Sequence, residues 1–241
     1  MPTETLLHAN EAWDRALAVV AHPDDMEFGL AAAVARWTRQ GKHITYCMVT
    51  SGEAGIDGIE PDRAGPLREE EQREACRIVG VQDLVFLREP DGILTYGLHL
   101  RARIAEQIRR HRPEIVITNN FRPTWMGGGL NQADHIATGQ ATLDAVRDAG
   151  NRWVFTDQLG EELQPWNGVS QVWLPGSPEE THAVDVTETI DDGDASLRAH
   201  RAYLAGLGGD FDFPAMIKQA AQTTGERLGV GFAAGMEVLE L

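Results

Sequence analysis

The sequence predicts an α/β fold of the Rossmann-like, doubly wound type, in which a mostly parallel sheet carries helices on both faces. One observation supports this class, and a second supports its organisation as one domain. Short apolar runs alternate with longer runs of helical periodicity between residues 17 and 150, and this alternation is typical of right-handed βαβ units. The 241 residues are 42% hydrophobic, which suits one domain with a large core. We therefore expect a single domain over residues 1–241, with its core over about 15–150.

The elements of the core follow from hydrophobic spacing. Strands are predicted at 17–21, 44–50, 84–87 and 114–118, and helices at 28–39, 67–79, 98–111 and 131–149. Residues 51–66 show no periodicity and are rich in Gly, Pro and Asp. We interpret them as a long surface loop, and loops of this length are usually binding loops or lids.

The C-terminal part, residues 151–241, has weaker patterns. Strands are predicted at 171–174 and 183–186, and a helix is predicted at 190–207. Residues 181–188 fit an edge strand and a loop equally well. Residues 206–241 mix Gly, Phe and small residues, and no element is predicted there.

The charge and the apolar runs argue against some function classes. The formal net charge is −16, and so acidic a surface repels nucleic acid and anionic lipid. No apolar run approaches the ~18 residues of a membrane span, and charges interrupt the N-terminal stretch where a signal peptide would be apolar. Cys47 and Cys76 lie in separate apolar patterns, so we expect two buried free thiols and a cytoplasmic location.

Polar side chains follow the first predicted strand directly. His22, Pro23, Asp24 and Asp25 come immediately after residue 21, at the strand end where doubly wound folds form their sites. Histidine and aspartate are ligands for zinc and similar cations, and Pro23 stiffens the turn. Alternatively, the aspartates cap the next helix. Capping explains one aspartate but not His22 or the second aspartate, so we favour a functional site.

A second polar cluster begins the last helix of the core. Asp134 and His135 lie in its first turn, after the loop that follows the fourth strand. Alone, this pair fits a helix cap beside a surface histidine. With the first cluster, His22, Asp25 and His135 make three ligands from two segments and leave a position for water. That pattern is typical of catalytic metal sites, whereas structural zinc sites are closed by four ligands.

These motifs resemble those of the LmbE-like, or PIG-L-like, N-deacetylases. The turn His22-Pro23-Asp24-Asp25 with Glu27 is similar to the HPDD motif of that family, and Asp134-His135 is similar to its second motif. The resemblance covers about residues 17–205 and includes the weaker segments Thr50-x-Gly52-Glu53, Arg68-x-x-Glu71, Asp91-Gly92, Asp185-Val186-Thr187 and Ala199-His200-Arg201.

The resemblance implies a metal centre with a base beside it. His22, Asp25 and His135 would bind one zinc ion per chain, or another divalent cation, and Asp24 would be the general base. One position departs from the family pattern, because Gln132 stands where many members have a histidine. A glutamine amide can donate a hydrogen bond to an oxyanion but cannot deliver a proton, so Asp24 would serve as both base and acid.

The resemblance also implies a substrate pocket lined by Arg68, Asp91 and Glu53. From the residues alone, Arg68 fits an exposed i,i+3 ion pair with Glu71 equally well, and Asp91 fits a plain turn with the glycine that follows it. Trp125 could stack on a sugar face or pack in the core.

We therefore expect a metal-dependent amide hydrolase, most specifically an N-deacetylase of an N-acetylglucosaminyl conjugate or a related small molecule. Three alternatives stay open: a metal-dependent phosphoester hydrolase with two bridged metals, an amidase of mycothiol-type S-conjugates, and a non-catalytic binding relative. A nucleotide-binding module is disfavoured because the first turn lacks G-x-G-x-x-G. The expected partner is a small N-acyl substrate, and the chain could form a homo-oligomer.

Overall fold

The structure is a computed structural model and describes residues 5–208 and 212–241. The strands in this part of the chain are β1 (Leu7–His8), β2 (Arg15–Val20), β3 (His43–Met48), β4 (Asp83–Phe86), β5 (Ile115–Thr118), β6 (Gln171–Pro175), β7 (His182–Asp185) and β8 (Ala233–Glu240). The helices are α1 (Asp25–Gly29), α2 (Ala31–Arg39), α3 (Pro61–Val79), α4 (Leu98–His111), α5 (Ala133–Gly150), α6 (Ile190–Arg198), α7 (Arg201–Gly206) and α8 (Phe213–Leu228).

The described strands form one sheet in the order β1-β7-β8-β6-β5-β2-β3-β4. Strand β8 runs antiparallel to β6 and β7, and the other neighbouring pairs are parallel. A mostly parallel sheet with helices around it confirms the predicted fold class.

Strand β2 separates two hydrophobic cores. Ala16, Ala18 and Val20 pack in the core under α1, α2 and α3, whereas Leu17 and Val19 pack in the core under α4 and α5. Side chains alternate between the faces of a strand, and both faces are covered by helices here. A strand buried on both faces is apolar throughout, which explains why β2 could be predicted from its sequence.

Two predicted boundaries in the first half of the chain are wrong. The helix predicted at 28–39 is two helices, α1 and α2, because the fully buried Leu30 leaves the helical conformation with a φ of −123°. Residues 61–66 were expected to be loop but belong to α3. Pro61 suits a first helical turn because its φ is fixed and the missing N–H would have no partner there.

The C-terminal part differs more from its prediction. The helix predicted at 190–207 is interrupted between α6 and α7 at Ala199 and His200. Residues 182–185, considered for an edge strand or a loop, form β7 inside the sheet between β1 and β8. Helix α8 and strand β8 occupy most of 206–241, where no element was predicted, and residues 209–211 of that stretch lie outside the described residues.

The predicted state of the two cysteines is confirmed, since Cys47 and Cys76 are buried free thiols. Burial raises the pKa of Cys47 to about 12, so this thiol stays protonated at neutral pH. Within residues 5–208 and 212–241, none of the helices is long and apolar enough to cross a membrane. The cytoplasmic location and the homo-oligomer stay predictions.

Candidate active site

The turn over residues 22–25, which we name the catalytic turn after its predicted role, leaves the carboxyl end of β2 between β3 and β5. Residues that follow both neighbouring strands hold Ala21, the residue immediately before this turn. The Ala21 N–H donates to Asn119 Oδ1 at 2.7 Å, and the Ala21 carbonyl accepts from Thr50 Oγ1 at 2.9 Å. Asn119 follows β5 and Thr50 follows β3, so the sheet itself determines where the catalytic turn begins.

Three side chains from the catalytic turn and α5 meet at one point. His135 Nε2 lies 3.0 Å from Asp25 Oδ1 and 3.1 Å from His22 Nδ1. His22 Nδ1 lies 3.7 Å from Asp25 Oδ2. Two imidazole nitrogens and a carboxylate with all ligand atoms within 4.8 Å of one another could hold a metal ion, and this donor set suits zinc or a similar divalent cation.

Asp25 is oriented by two hydrogen bonds. Its Oδ2 accepts from Asn119 Nδ2 at 3.0 Å and from the backbone N–H of His22 at 2.8 Å. Asn119 therefore contacts both the start of the catalytic turn and the Asp25 carboxylate. Sequence reasoning missed it, although its position directly after a buried strand, on the same sheet edge as the other polar clusters, was an available signal.

Two carboxylates face the other nitrogen of His22. His22 Nε2 lies 3.0 Å from Asp91 Oδ1 and 3.5 Å from Asp134 Oδ2. Both oxygens of Asp134 also accept backbone N–H groups, from Gly92 at 2.7 Å and Leu94 at 3.0 Å. Burial lowers the pKa of His22, but hydrogen bonds to Asp134, Asp25 and Asp91 together raise it by more. The net pKa of His22 is well above its usual value.

Asp24 is buried beside the ligand cluster in a backbone conformation that is rare for its residue type. Its φ is 96°, and its side chain makes no capping bond to α1, so the capping alternative does not describe this residue. Burial raises the pKa of Asp24, the neighbouring Arg68 lowers it, Asp25 raises it, and the net pKa is about 6. A carboxyl group with a pKa near neutrality can both accept and return a proton.

Arg68 lies under the catalytic turn and not on an exposed helix face. It donates to Asp24 Oδ1 at 3.1 Å, to the Pro23 carbonyl, and to the Gly52 carbonyl at 3.0 Å. Its guanidinium also lies 4.0 Å above the ring of Tyr203. The alternative of an exposed ion pair between Arg68 and Glu71 is wrong, because Glu71 instead accepts the N–H of Ala202 at 2.5 Å.

Glu53 and Asp91 join the loops that border the site. Glu53 Oε1 accepts the N–H of Asp91 at 2.9 Å, and Asp91 Oδ2 accepts the N–H of Ala54 at 2.8 Å. The second oxygen of Glu53, Oε2, is buried and has no hydrogen-bond partner among the described residues.

Trp125 and Gln132 lie nearer the surface. The half-buried Trp125 ring meets the ring of His135 edge to face, with 5.2 Å between centroids. Gln132 is exposed immediately before the first residue of α5, three residues from His135. Direct contacts thus link most of the residues predicted for the site: the metal-ligand set, Asp24, Arg68, Asp91 and Trp125. Gln132 is the most exposed of the predicted residues.

The fold and this cluster define a class: α/β proteins with a candidate metal centre and a buried carboxylate at the carboxyl edge of a parallel sheet. Residues 17–146 match the family described as PIG-L: GlcNAc-PI de-N-acetylase. The chain belongs to this family, which confirms the family predicted from its motifs.

Individual relatives agree with this assignment, and a solved structure has a similar fold. The chain is 31% identical over 165 residues to a 1D-myo-inositol 2-acetamido-2-deoxy-alpha-D-glucopyranoside deacetylase of Kineococcus radiotolerans, which covers 55% of this chain but 44% of the relative. It is 26% identical to the diacetylchitobiose deacetylase of Thermococcus kodakarensis, with 78% of this chain and 69% of the relative covered. The N,N'-diacetylchitobiose deacetylase structure from Pyrococcus horikoshii has a TM-score of 0.86 at 21% identity, covers 95% of this chain and 85% of its own, and supports the fold.

Proposed function

We propose that this chain is a metal-dependent N-deacetylase that hydrolyses the acetamide of an N-acetylglucosaminyl conjugate, with zinc as its metal. The observation that carries the proposal is the approach of His22, Asp25 and His135 to one point beside the buried Asp24. Membership of the PIG-L family and the deacetylase names of the relatives support the same reaction class.

His22 Nδ1, Asp25 and His135 Nε2 would hold the metal. When bound, the metal supplies Lewis-acid chemistry that activates water and polarises the amide carbonyl. Asn119 donates a hydrogen bond that fixes the Asp25 carboxylate. Asp91 would accept a hydrogen bond from Nε2 of His22, the nitrogen that faces away from the metal. A carboxylate partner orients a histidine ligand and increases its basicity, and a hydrogen-bond donor orients a carboxylate ligand.

Asp24 would carry the proton. As water attacks the amide carbon, Asp24 takes a proton from that water; as the C–N bond breaks, Asp24 gives the proton to the leaving amine, and acetate departs. Its pKa of about 6 suits both steps. The amide of Gln132 cannot transfer a proton to the leaving amine. It would only donate a hydrogen bond to the oxyanion that forms on the carbonyl.

Glu53 and Trp125 would contact the sugar. The buried Oε2 of Glu53 has no partner among the described residues, which supports a role in accepting a hydrogen bond from a sugar hydroxyl. Trp125 lies against His135 and is half exposed, so its ring is available to stack on a sugar face. For Arg68 and Asp91, the contacts with the catalytic turn and with His22 support roles in positioning the metal and the base as well as the substrate.

The test is amide turnover as a function of bound metal. The protein is stripped with a chelator and reloaded with one equivalent of zinc, and primary amine is measured across a panel of N-acetylglucosaminyl conjugates and cysteinyl amides. We expect about one zinc per chain, and amine release that the chelator abolishes and zinc restores. Two metals per chain with phosphate release would favour a phosphoester hydrolase, and metal binding without turnover on any substrate would favour a binding relative.

His43 provides a matched control for the ligand substitutions in this test. It is an exposed histidine paired with Asp83 away from the site, with Nε2 2.9 Å from the carboxylate. His135→Ala should lose both the metal and the turnover, whereas His43→Ala should keep both. Equal loss in the two variants would contradict the assigned ligand set.

A further inference from the structure

Glu27 and His200 form a completely buried pair behind the catalytic turn. Glu27 lies in α1, and His200 lies between α6 and α7, far along the sequence. Both side chains have 0% exposure, and Glu27 Oε2 lies 3.5 Å from His200 Nε2. Neither ring nitrogen of His200 has a hydrogen-bond partner in the described part of the chain, and neither does Glu27 Oε2. Burying a charged or polar pair is costly, so its position next to the site calls for a physical reason.

The pair is connected to Asp24 through Gln72. Gln72 is fully buried in α3, and its Nε2 donates to Glu27 Oε1 at 3.2 Å. Its other end, Oε1, accepts the backbone N–H of Asp24 at 2.9 Å. A buried path of polar contacts thus runs from His200 through Glu27 and Gln72 to the backbone of Asp24.

The direction of the Gln72 amide matters because its two ends are different. A glutamine amide presents a donor on one side and an acceptor on the other, whereas an ionised carboxylate only accepts. Glu27 therefore selects the Nε2 end of Gln72, and the acceptor Oε1 is left facing Asp24. If the amide turned around, its NH2 group would face the Asp24 N–H, and two donors would meet.

His200 packs against the oxygen of Glu27 that Gln72 does not contact. Its Nε2 lies 3.5 Å from Glu27 Oε2, while Glu27 Oε1 accepts from Gln72. The buried imidazole therefore helps to fix which oxygen of Glu27 faces Gln72.

Asp24 requires this support because its backbone is strained. A φ of 96° is unfavourable for an aspartate, and such conformations persist only where the surroundings enforce them. Arg68 contacts the Pro23 carbonyl and the Asp24 side chain, while Gln72 is the partner of the Asp24 N–H.

We propose that Glu27 and His200 are positioning residues that fix the orientation of the Gln72 amide and thereby hold Asp24 in its left-handed turn beside the metal ligands. The proposal rests on the proposed function, because Asp24 is the base of that reaction. The α6–α7 junction, which carries His200, would thereby contribute to the site. It lies outside residues 17–146, the part of the chain that matches the family.

The first test is Glu27→Gln, which keeps the size of the side chain but adds a donor facing Gln72. We expect kcat to fall about 10- to 100-fold, since small displacements of a reacting group have effects of this size, with KM and bound metal changed less than threefold. Thr142→Val is the control, because Thr142 is equally buried and its hydroxyl donates within α5, to the Thr138 carbonyl. It should leave kcat unchanged.

The second test exchanges the two side chains. In Glu27→Gln/Gln72→Glu, the carboxylate at position 72 accepts from the Asp24 N–H, and the amide at position 27 donates to that carboxylate. Each donor therefore faces an acceptor again, although the bond between positions 27 and 72 is reversed. We expect the exchange to recover most of the kcat lost in Glu27→Gln. A role in stability alone predicts that the double variant is at least as impaired as the single one, and that result would overturn the proposal.

A crystal structure of Glu27→Gln separates this proposal from the proposed function. We expect the Gln72 Oε1 to Asp24 N–H bond to be broken and the φ of Asp24 to change. If that bond and the φ near 96° persist in the variant, the positioning proposal is wrong. If the parent protein with bound zinc hydrolyses no amide, the proposed function fails, and the crystal structure still decides the positioning role.

Discussion

Asp91 contacts His22 on the side of the imidazole opposite the candidate metal centre: Asp91 Oδ1 lies 3.0 Å from Nε2, while Nδ1 faces His135 at 3.1 Å. The same carboxylate accepts the N–H of Ala54 through its other oxygen. Asp91 therefore connects the orientation of a candidate metal ligand to the loop that follows β3.

Replacing Asp91 should weaken metal binding. In Asp91→Asn only one side-chain oxygen remains to accept from both His22 and the Ala54 N–H. One of these two hydrogen bonds is therefore lost, together with the negative charge. We expect zinc affinity to fall about 10- to 100-fold, as for other residues that orient metal ligands. Competition with a chromogenic chelator measures this.

Asp83→Asn is the matched control, because Asp83 makes an Asp–His contact of similar length to the exposed His43. It should bind zinc like the parent. If Asp91→Asn keeps the parent affinity and raises only KM, then Asp91 acts on the substrate and does not orient His22.

Asp24→Asn should separate binding from chemistry. The amide cannot take a proton, while the three metal ligands are untouched, so we expect about one zinc per chain and a kcat about 10²–10⁴-fold lower. Metal analysis and amine release measure the two effects. Turnover at the parent rate would show that another group is the base.

Arg68→Met should destabilise the fold. Removing the guanidinium leaves Asp24 without its ion-pair partner in a buried site and frees two backbone carbonyls. Breaking such a pair costs about 3–5 kcal/mol of unfolding free energy. Chemical denaturation measures this loss. Arg77→Met is the control, since Arg77 is 71% exposed in an ion pair with Glu74 and its replacement should change the unfolding free energy far less.

Glu69 should make stability depend on pH in the acid range. Hydrogen bonds from Arg88 lower its pKa most, burial opposes them, Ser51 and Arg73 lower it further, and the net pKa is about 2 against a usual 4.5. The folded state thus binds the proton more weakly than the unfolded chain does, so the stabilisation is complete above about pH 5 and is lost as pH falls towards 2.

The variant Glu69→Gln isolates this effect. Each pKa unit corresponds to about 1.4 kcal/mol, but Arg88 is 66% exposed and solvent screens part of the interaction, so we expect a loss of about 1–2 kcal/mol at pH 7. The difference from the parent should disappear by pH 2. Glu70→Gln, whose side chain is 76% exposed on the same helix, should show no such convergence, and a constant difference for Glu69→Gln at all pH values would contradict the prediction.

The sequence predicted best where local pattern and tertiary environment agree. Strand β2 is apolar because both faces are buried, and α4 has the predicted bounds of 98–111. The candidate ligands His22, Asp25 and His135 could be predicted because their residue types suit metal binding and they follow strands at one sheet edge; the structure brings them within 4.8 Å of one another.

What could not be predicted depends on contacts between distant segments. Asn119 and Gln72 have no local feature that distinguishes an amide at the site from one on the surface, since their roles come from Asp25 and Asp24. The burial of Arg68 likewise depends on the catalytic turn that packs over α3, so its helical spacing alone suggested an exposed pair. Strand β8 has small residues and no clear alternation, and its place is defined by pairing with β6 and β7.

That position of β8 makes assembly of the sheet depend on a strand that is synthesised after its two neighbours. Among the described strands, β1 and β7 pair with each other and join the others only through β8, whose pairing extends to Glu240. A nascent chain still lacking residues 233–240 would present the edges of β6 and β7 unpaired, and such edges promote aggregation. This half of the sheet can therefore close only after residues 233–240 have left the ribosome.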